Sequence, residues 1–234
     1  MKFDWADINR DLLTKTKGKN IDGFRFYSVN GKNYPSITTV LGVKKKKDMQ
    51  GWRNHVGEDV ANYEMRRAAA RGKSTHNLVE NYIKGEPASD RGVLPLGLFR
   101  LMKPYLDQIN NIHLLETIMY SDELTIAGQV DCVAEYNGEL SVIDFKTANK
   151  ERRDDWQHSY FLQCTAYAQM YKETFGTEIK NIIILSANED GTMQVWKKNA
   201  DDYMEDLKKQ IADFYVHYEK INSAKAVDEV VKNS

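Results

Sequence analysis

Residues 128–147 read GQVDCVAEYNGELSVIDFKT. β-Branched and aromatic residues flank Asn137-Gly138, a pair typical of a tight hairpin turn, so the stretch predicts two antiparallel strands. Side chains at i and i+2 of a strand share a face, so Asp144 and Lys146 project together. Since the turn lies roughly midway between the two aspartates, Asp131 is expected opposite Asp144.

Two carboxylates beside a lysine suit a divalent metal centre. The carboxylates repel each other unless a cation neutralises them, and hard oxygen ligands favour Mg²⁺ or Mn²⁺. Such a cation activates water and polarises a phosphodiester, while Lys146 would orient or help deprotonate the water and stabilise charge on the phosphate. The alternative is a strand-edge salt bridge between Asp144 and Lys146, with Asp131 capping a turn. The apolar neighbours of the pair favour the metal centre, because a buried charged pair is costly, and Gly128 allows a close approach.

On either side of this hairpin the sequence predicts a central mixed β-sheet flanked by helices, an α/β fold. Gly72 is expected to interrupt the first helical region, and Pro104 to kink a later helix or mark its late start. Strands are predicted at 114–121, 124–136, 139–148, 181–188 and 193–197, and helices at 49–70, 74–84, 96–112, 156–175 and 201–221.

The remaining segments set the expected domain organisation. Residues 24–36 predict a hairpin that turns at Asn30-Gly31, whereas Lys44 to Lys47 and residues 85–95 are expected to be loops. We expect one domain over residues 1–222, with an N-terminal hairpin and helical addition (1–70), a core (71–200), a C-terminal helix (201–222) and then a loose tail (223–234).

The composition excludes several classes of protein. With 41% hydrophobic and 29% charged residues and no long apolar stretch, a membrane protein is not expected. The start lacks a signal-peptide pattern, so the expected location is the cytoplasm of a bacterium or of a phage-infected host. A net charge of −1 argues against binding nucleic acid through bulk positive charge. Cys132 and Cys164 lack C-x-x-C spacing, which excludes a zinc or iron–sulfur site built from this chain alone.

Two further residue pairs share helix faces. His76 and Glu80 are one turn apart, as are Gln163 and Tyr167 on the helix after the strand that carries Asp144. An imidazole and a carboxylate so spaced can contribute to a metal site. Taken alone, the first pair is equally a surface His–Glu pair, and the second a partly buried helix face.

Together these residues resemble the RecB-like branch of the PD-(D/E)xK nucleases. That branch is marked by four motifs in a fixed order, G-x-x-x-H, G-x-x-D, D-x-K and Q-x-x-x-Y, which occur here at Gly72–His76, Gly128–Asp131, Asp144–Lys146 and Gln163–Tyr167. Within the branch, residues 34–185 are similar to the mitochondrial genome maintenance exonucleases and their phage and bacterial relatives. The resemblance implies a restriction-endonuclease-like core and hydrolysis of DNA.

The resemblance also implies roles for the motif residues. Lys146 would act on the water and the phosphate, and Gln163 and Tyr167 would support the site and contact the DNA backbone. Glu80 would hold a second metal or a metal-bound water, and Glu116 is a candidate for the outer shell. The implied ligands of Mg²⁺ or Mn²⁺ are His76, Asp131, Asp144 and the carbonyl of Phe145.

The implied substrate is single-stranded DNA, threaded to the site and cut from a free end. Tyr34, Trp52, Tyr63 and Tyr82 are candidates to stack on bases, and Arg66, Arg67, Arg71, Lys73 and Lys44 to Lys47 to follow phosphates. Each has an alternative as a core aromatic or a solvated charge. No phosphate-binding G-x-x-x-x-G-K-[ST] motif occurs, so no ATP-driven motor is expected in this chain, and replication or recombination proteins are candidate partners. A double-strand exonuclease or flap endonuclease, and a non-catalytic DNA-binding module, remain alternatives.

Overall fold

The computed structural model describes residues 3–88 and 92–232. Short 3₁₀ turns occur at Arg10–Leu12, Asp154–Gln157 and Ala200–Tyr203. The strands and helices, in chain order, are β1 (Gly18–Ile21), β2 (Phe24–Val29), β3 (Lys32–Pro35), α1 (Ile37–Val56), α2 (Glu58–Lys84), α3 (Val93–Leu106), β4 (Ile109–Ser121), β5 (Ile126–Tyr136), β6 (Glu139–Ala148), α4 (His158–Phe175), β7 (Asn181–Asn188), β8 (Met193–Asn199) and α5 (Met204–Lys232).

The central sheet confirms the predicted α/β class. Its five strands run in the order β4-β5-β6-β7-β8. Neighbours pair antiparallel except β6 and β7, which are parallel because α4 carries the chain across between them. The sheet is therefore mixed and flanked by helices, and the chain crosses a helix immediately after the strand that carries Asp144 and Lys146.

Alternate residues of the central strands pack into two separate layers. Val142 and Ile182 join one core with α1, α4 and α5, whereas Ile143 and Ile183 join the other with α2 and α3. This alternation follows from the two-residue period of a strand. The face to which each side chain of β6 points is thus fixed, with Asp144 and Lys146 on the side of Val142.

The N-terminal helices differ from the sequence prediction. The segment of Lys44 to Lys47, expected to be a loop, lies within α1, which begins at Ile37 rather than at residue 49. The expected break at Gly72 is wrong, since α2 runs through it to Lys84. The two helices instead separate at Gly57, whose φ of 87° favours glycine. A single glycine there ends one helix and precedes the next.

Two other boundaries are corrected. The helix predicted over 96–112 ends at Leu106, and β4 begins at Ile109, because Ile109 and Asn110 pair with Tyr136 and Glu135 of β5. Pro104 lies inside the last turn of α3. The tail expected to be loose from residue 223 continues α5 as far as Lys232.

A second, three-stranded sheet has the order β1-β2-β3. The predicted turn at Asn30-Gly31 is confirmed, since both residues have positive φ, as such a tight turn requires. Phe24 of this sheet contacts Phe214 and Tyr218 of α5 edge-on, at 5.7 and 5.6 Å between ring centroids. The last helix, α5, therefore covers the three-stranded sheet.

Within the part of the chain that the structure describes, no helix combines the length and the apolar character needed to cross a membrane.

Candidate metal centre

Strands β5 and β6 separate where the predicted site lies. Their regular pairing runs from the turn as far as Cys132 opposite Ile143. Beyond that pair, the backbone N–H of Phe145 donates to the Asp131 carboxylate Oδ2 at 3.0 Å, so a side chain occupies the space between the strands. Asp131 is thereby fixed beside the strand that carries Asp144, as the hairpin register requires.

Three potential ligands meet at this separation. One ligand atom each from His76, Glu116 and Asp131 lies within 4.8 Å of the others, the only such His, Cys or acidic group among the described residues. His76 Nδ1 is 3.7 Å from Asp131 Oδ2 and 3.9 Å from Glu116 Oε1, and its Nε2 lies 2.6 Å from the carbonyl oxygen of Phe145. α2, β4 and β5 thus each supply one side chain.

The charge of His76 follows from these neighbours. Burial, the largest single influence, would lower the pKa of His76, but the carboxylates of Asp131, Glu116 and Asp144 together outweigh it and raise that pKa to about 9. Glu116, at 3.9 Å too distant for a regular hydrogen bond, acts in the same direction. His76 therefore lies in a strongly negative environment, one that attracts cations.

Glu116 reaches the group through an unusual backbone conformation. Its φ is 47°, a left-handed value that costs a non-glycine residue on the order of 1–3 kcal/mol. Leu115–Cys132 and Thr117–Val130 pair on either side, so Glu116 lies opposite Asp131. The Gln129 side-chain amide donates to Glu116 Oε2 at 2.7 Å and approaches its backbone carbonyl at 3.3 Å. These bonds hold the strained residue in place.

Asp144, which is buried, and Lys146, which is partly buried, form an ion pair next to this group. Asp144 is 1% exposed, and its Oδ2 lies 2.5 Å from Lys146 Nζ. Despite that approach, neither carboxylate oxygen has a partner in regular hydrogen-bond geometry. Lys146 Nζ also lies 4.9 Å from the centre of the Tyr160 ring, a cation–π contact.

The two charges of the pair respond differently to burial. Burial raises the pKa of Asp144 to about 6, although the charge of Lys146 opposes the rise. Burial would lower the pKa of Lys146, but the carboxylates of Asp144 and Asp131 outweigh it and raise that pKa. Lys146 is therefore held as a cation, which favours stabilisation of negative charge over proton abstraction.

These residues fit a divalent cation. Asp144 Oδ1 is buried without a hydrogen-bond partner, Oδ2 has only the Lys146 ammonium, and a buried polar atom such as Oδ1 needs a partner. Carboxylates, an imidazole and the Phe145 carbonyl form a donor set that suits Mg²⁺ or Mn²⁺. His76, Glu116, Asp131 and Asp144 are the side chains that would hold it.

Three acidic residues lie differently in the structure from their places in the predicted ligand set. Glu80 lies outside the three-residue group, and its Oε1 accepts a hydrogen bond from Lys84 at 2.6 Å instead. Glu116, expected only in the outer shell, belongs to the three-residue group. Asp144 also lies outside the three-residue group, although its charge and that of Asp131 influence each other.

The two side chains of the Q-x-x-x-Y motif, Gln163 and Tyr167, are buried and contact each other. Gln163 donates to the Tyr167 hydroxyl at 3.3 Å, and the two side chains are 9% and 1% exposed. Tyr167 is thus enclosed and cannot contact a DNA backbone as expected. A Cβ added to Gly128 would lie 2.8 Å from the Tyr167 ring and 2.9 Å from Ile37. The absence of a side chain at the glycine of G-x-x-D therefore leaves the space in which the tyrosine of Q-x-x-x-Y packs against β5.

Alanine at Gly128 and at Gly72 should have opposite effects on stability. Gly128→Ala places a methyl group too close to the Tyr167 ring and to Ile37, which must then move away from β5, and we expect a loss of about 1–3 kcal/mol in the free energy of unfolding. Gly72→Ala meets nothing nearer than Thr147 Oγ1 at 3.8 Å and should gain about 0.5–1 kcal/mol, because alanine favours a helix interior. Urea unfolding of both variants measures the difference. Equal effects at the two positions would contradict this account of Gly128.

Several residues expected to contact DNA are committed elsewhere. Tyr34 is 4% exposed and donates its hydroxyl to Asp122, so it cannot stack on a base. Arg71 is 6% exposed and bonded to Thr147, Asn149 and Glu189, so it cannot follow phosphates.

Of the remaining candidates for DNA contact, two are engaged with other side chains and the others are exposed to solvent. Arg67 is ion-paired with Glu64 and Glu189. Tyr82 packs against Phe3 and Phe99. The exposed ones are Trp52, Tyr63, Arg66, Lys73 and Lys44, whereas the side chains of Lys45 to Lys47 lie outside the described residues.

Trp52 lines a cleft of about 920 Å³ between α1, α2 and the segment after β6. Val56, Val60 and Met65 form apolar lining, and charged residues of both signs, among them Lys150 and Arg152 with Glu64 and Glu151, complete it. Tyr160, whose ring contacts Lys146, also lines the cleft. Tyr160 is thus the residue that the cleft shares with the surroundings of Lys146.

Sequence reasoning missed two residues beside the site. Gln129 lies two residues before Asp131 on the same strand, so strand alternation alone places it on the same face. Tyr160 lies three residues before Gln163 on α4, at helical spacing. Both signals were present in the sequence.

Comparison with known proteins identifies the family. The chain is 27% identical to "Mitochondrial genome maintenance exonuclease 1" of Homo sapiens over 174 residues, which is 68% of this chain and 50% of that protein. The protein of the same name from Mus musculus is 25% identical over 173 residues, 68% of this chain and 51% of that protein. The one from Xenopus tropicalis is 30% identical over 135 residues, 53% and 37%.

The chain thus spans about half the length of the human and mouse proteins. The profile of the PD-(D/E)XK nuclease superfamily matches residues 85–229, which contain Glu116, Asp131, Asp144 and Lys146 but begin after His76. This match covers more than half of the chain, and the protein belongs to the PD-(D/E)XK nuclease superfamily.

Proposed function

We propose that the chain is a metal-dependent DNA exonuclease that uses Mg²⁺ or Mn²⁺ and hydrolyses single-stranded DNA from free ends. The observation that carries the proposal is the convergence of His76, Glu116 and Asp131 beside the ion pair of Asp144 and Lys146. Asp144 is buried and the other four side chains are partly buried, and such a concentration of charge away from water is costly for stability unless a bound group offsets it. Membership of a nuclease superfamily supports hydrolysis as that function.

The proposed chemistry divides between the cation and the protein. A divalent cation bound there lowers the pKa of a water molecule and polarises the phosphodiester. Lys146, held as a cation by Asp144 and Asp131, stabilises the negative charge that develops on the phosphate. Tyr160 fixes the direction of the ammonium group through its ring face. Asp144 anchors Lys146 and offers its oxygens to the cation.

The cleft supports an unpaired strand as the substrate. Trp52 is 38% exposed there, and the apolar residues beside it offer a surface on which bases can stack. Bases within a duplex are already stacked on each other, so this surface favours an unpaired strand. Lys150 and Arg152 can attract phosphates, and Glu64 and Glu151 limit purely electrostatic binding. The requirement for a free end rests on the relatives, which are named exonucleases.

Linear and circular single strands of equal length test the proposal directly. We expect the linear strand to be degraded in Mg²⁺ or Mn²⁺, the circular strand to survive, and a chelator to stop the reaction. A blunt duplex of the same sequence should be cut more slowly. End-labelling of the linear strand reports the direction of degradation.

The outcomes separate the alternatives. Degradation of the circular strand would exclude a free-end requirement, and preference for the duplex would indicate a double-strand exonuclease. Cleavage confined to a branched duplex would indicate a flap endonuclease. DNA binding without cleavage in any metal would leave a non-catalytic module.

A further inference from the structure

Arg71 of α2 is a buried cation that the proposed chemistry does not use. Its Nε donates to Thr147 Oγ1 at 3.1 Å, and its guanidinium approaches the carbonyl of Thr147 at 3.5 Å. The same guanidinium donates to the Asn149 side chain and to the Glu189 carboxylate. At 6% exposure, its hydrogen bonds are made within the protein.

Glu189 ties this contact to two strands. Its backbone N–H donates to the carbonyl of Ala148 at 2.9 Å, which joins the ends of β6 and β7. Its carboxylate receives Arg71 and also Arg67, one helical turn earlier. Arg67 is 37% exposed at its side chain, and the bonds recorded for it go to Glu64 and Glu189 rather than to β6.

The two contacts between α2 and β6 have similar spacings along the helix and along the strand. Arg71 and His76 are five residues apart on α2, a rise of about 7.5 Å. Their partners Thr147 and Phe145 are two residues apart on β6, about 6.6 Å. α2 is therefore fastened to β6 at two points with nearly equal spacing. A slip of one residue would move His76 by about 1.5 Å and rotate it by about 100°.

We infer that Arg71, held by Glu189, is a positioning residue that sets the affinity of the metal centre by fixing His76 against Asp131 and the Phe145 carbonyl. The inference rests on the proposed metal-dependent function. It assigns to Arg71 a role within the protein in place of a contact with DNA. Groups that orient metal ligands commonly change metal affinity by about 10- to 100-fold when removed.

The test is Mn²⁺ titration by calorimetry of the full chain without DNA, using Arg71→Ala with Arg67→Ala as matched control. Both remove a helix arginine from Glu189, but only the first also removes the contacts with Thr147 and Asn149. We expect Arg71→Ala to weaken Mn²⁺ binding about tenfold or more and Arg67→Ala to leave it within about twofold. Arg71→Lys, which keeps the charge without the fork of donors, should fall between them.

Thermal unfolding without metal separates positioning from stability. Loss of Tm with unchanged Mn²⁺ affinity in Arg71→Ala would overturn the inference, as would equal losses of affinity in both alanine variants. If Arg71→Ala does not fold, Glu189→Gln decides, since it weakens the same contact while keeping its shape, and unchanged affinity there overturns the inference. Failure of the wild-type chain to bind Mn²⁺ would instead overturn the proposed metal-dependent function, and this inference with it.

Discussion

Asp144→Asn is expected to reduce DNA hydrolysis about a thousandfold, equivalent to about 4 kcal/mol in the free energy of the transition state. The change keeps the shape of the side chain but removes the negative charge that anchors Lys146 and faces the proposed cation. It also removes a carboxylate with no regular hydrogen bonds in a buried setting. Burial raises the pKa of that carboxyl to about 6, so its charge is retained at a cost in stability.

The effects of Asp144→Asn on stability should largely offset each other. Neutralising a buried carboxylate removes a desolvation cost, whereas Lys146 loses its nearest counter-charge and retains only Asp131. We therefore expect a small change in Tm beside a large loss of rate. Initial rates on end-labelled single strands, together with thermal unfolding, measure the two quantities. The exposed Asp213→Asn on α5 is the matched control. A folded Asp144→Asn variant within tenfold of wild-type activity would refute the site.

Glu116→Gln should weaken metal binding and activity by about 10- to 100-fold, whereas Glu80→Gln should cause a loss of a few-fold at most. The family resemblance assigned a second metal or a metal-bound water to Glu80, one turn after His76. In the structure, Glu80 is neutralised by Lys84, and Glu116 faces His76 and Asp131. The backbone of Glu116 is strained, and the Gln129 amide donates a hydrogen bond to its carboxylate. Strain of this kind is typical of functional sites, so we expect the position of this carboxylate to matter for function.

Activity measured against Mn²⁺ concentration distinguishes the two glutamates. A loss in Glu116→Gln that excess Mn²⁺ partly restores would show that the carboxylate contributes to binding the cation. If Glu80→Gln is the more damaging change, the assignment from the helix spacing is right and the one from the structure is wrong.

The central sheet was predictable because its signals are local. Asn137-Gly138 fixes the hairpin, the hairpin fixes Asp131 opposite Asp144, and the D-x-K spacing fixes a common face. Every step lies within one hairpin of the sequence. The class of the fold follows from the same elements, since a helix between β6 and β7 makes that pair parallel.

The errors arose where tertiary packing overrides local preference. Gly72 reads as a helix break, but α2 passes over β6 there with Thr147 in ordinary contact, and packing keeps the glycine helical. The break occurs at Gly57, which has no distinguishing local sequence. Glu116 escaped emphasis for a different reason, because nothing in a sequence announces a left-handed residue within a strand.

Arg71 and Tyr34 show the same limit for side chains. Both residue types are common in DNA-binding surfaces, and only the fold reveals that one is bonded to Glu189 and the other to Asp122. The partners lie far away in sequence, so spacing carries no information about them. Trp52 had the same prior expectation, and the structure leaves it exposed in the cleft.

The cover that α5 gives to the three-stranded sheet has a consequence for folding during synthesis. Phe24 is made early and Phe214 late, so the apolar face of β2 leaves the ribosome long before the helix that buries it. A small isolated sheet is only marginally stable in water, and α1 also packs on α5. Contacts between such distant segments slow folding, because the intervening chain must first be ordered. Until α5 has emerged, the growing chain exposes an apolar surface of the kind that chaperones bind.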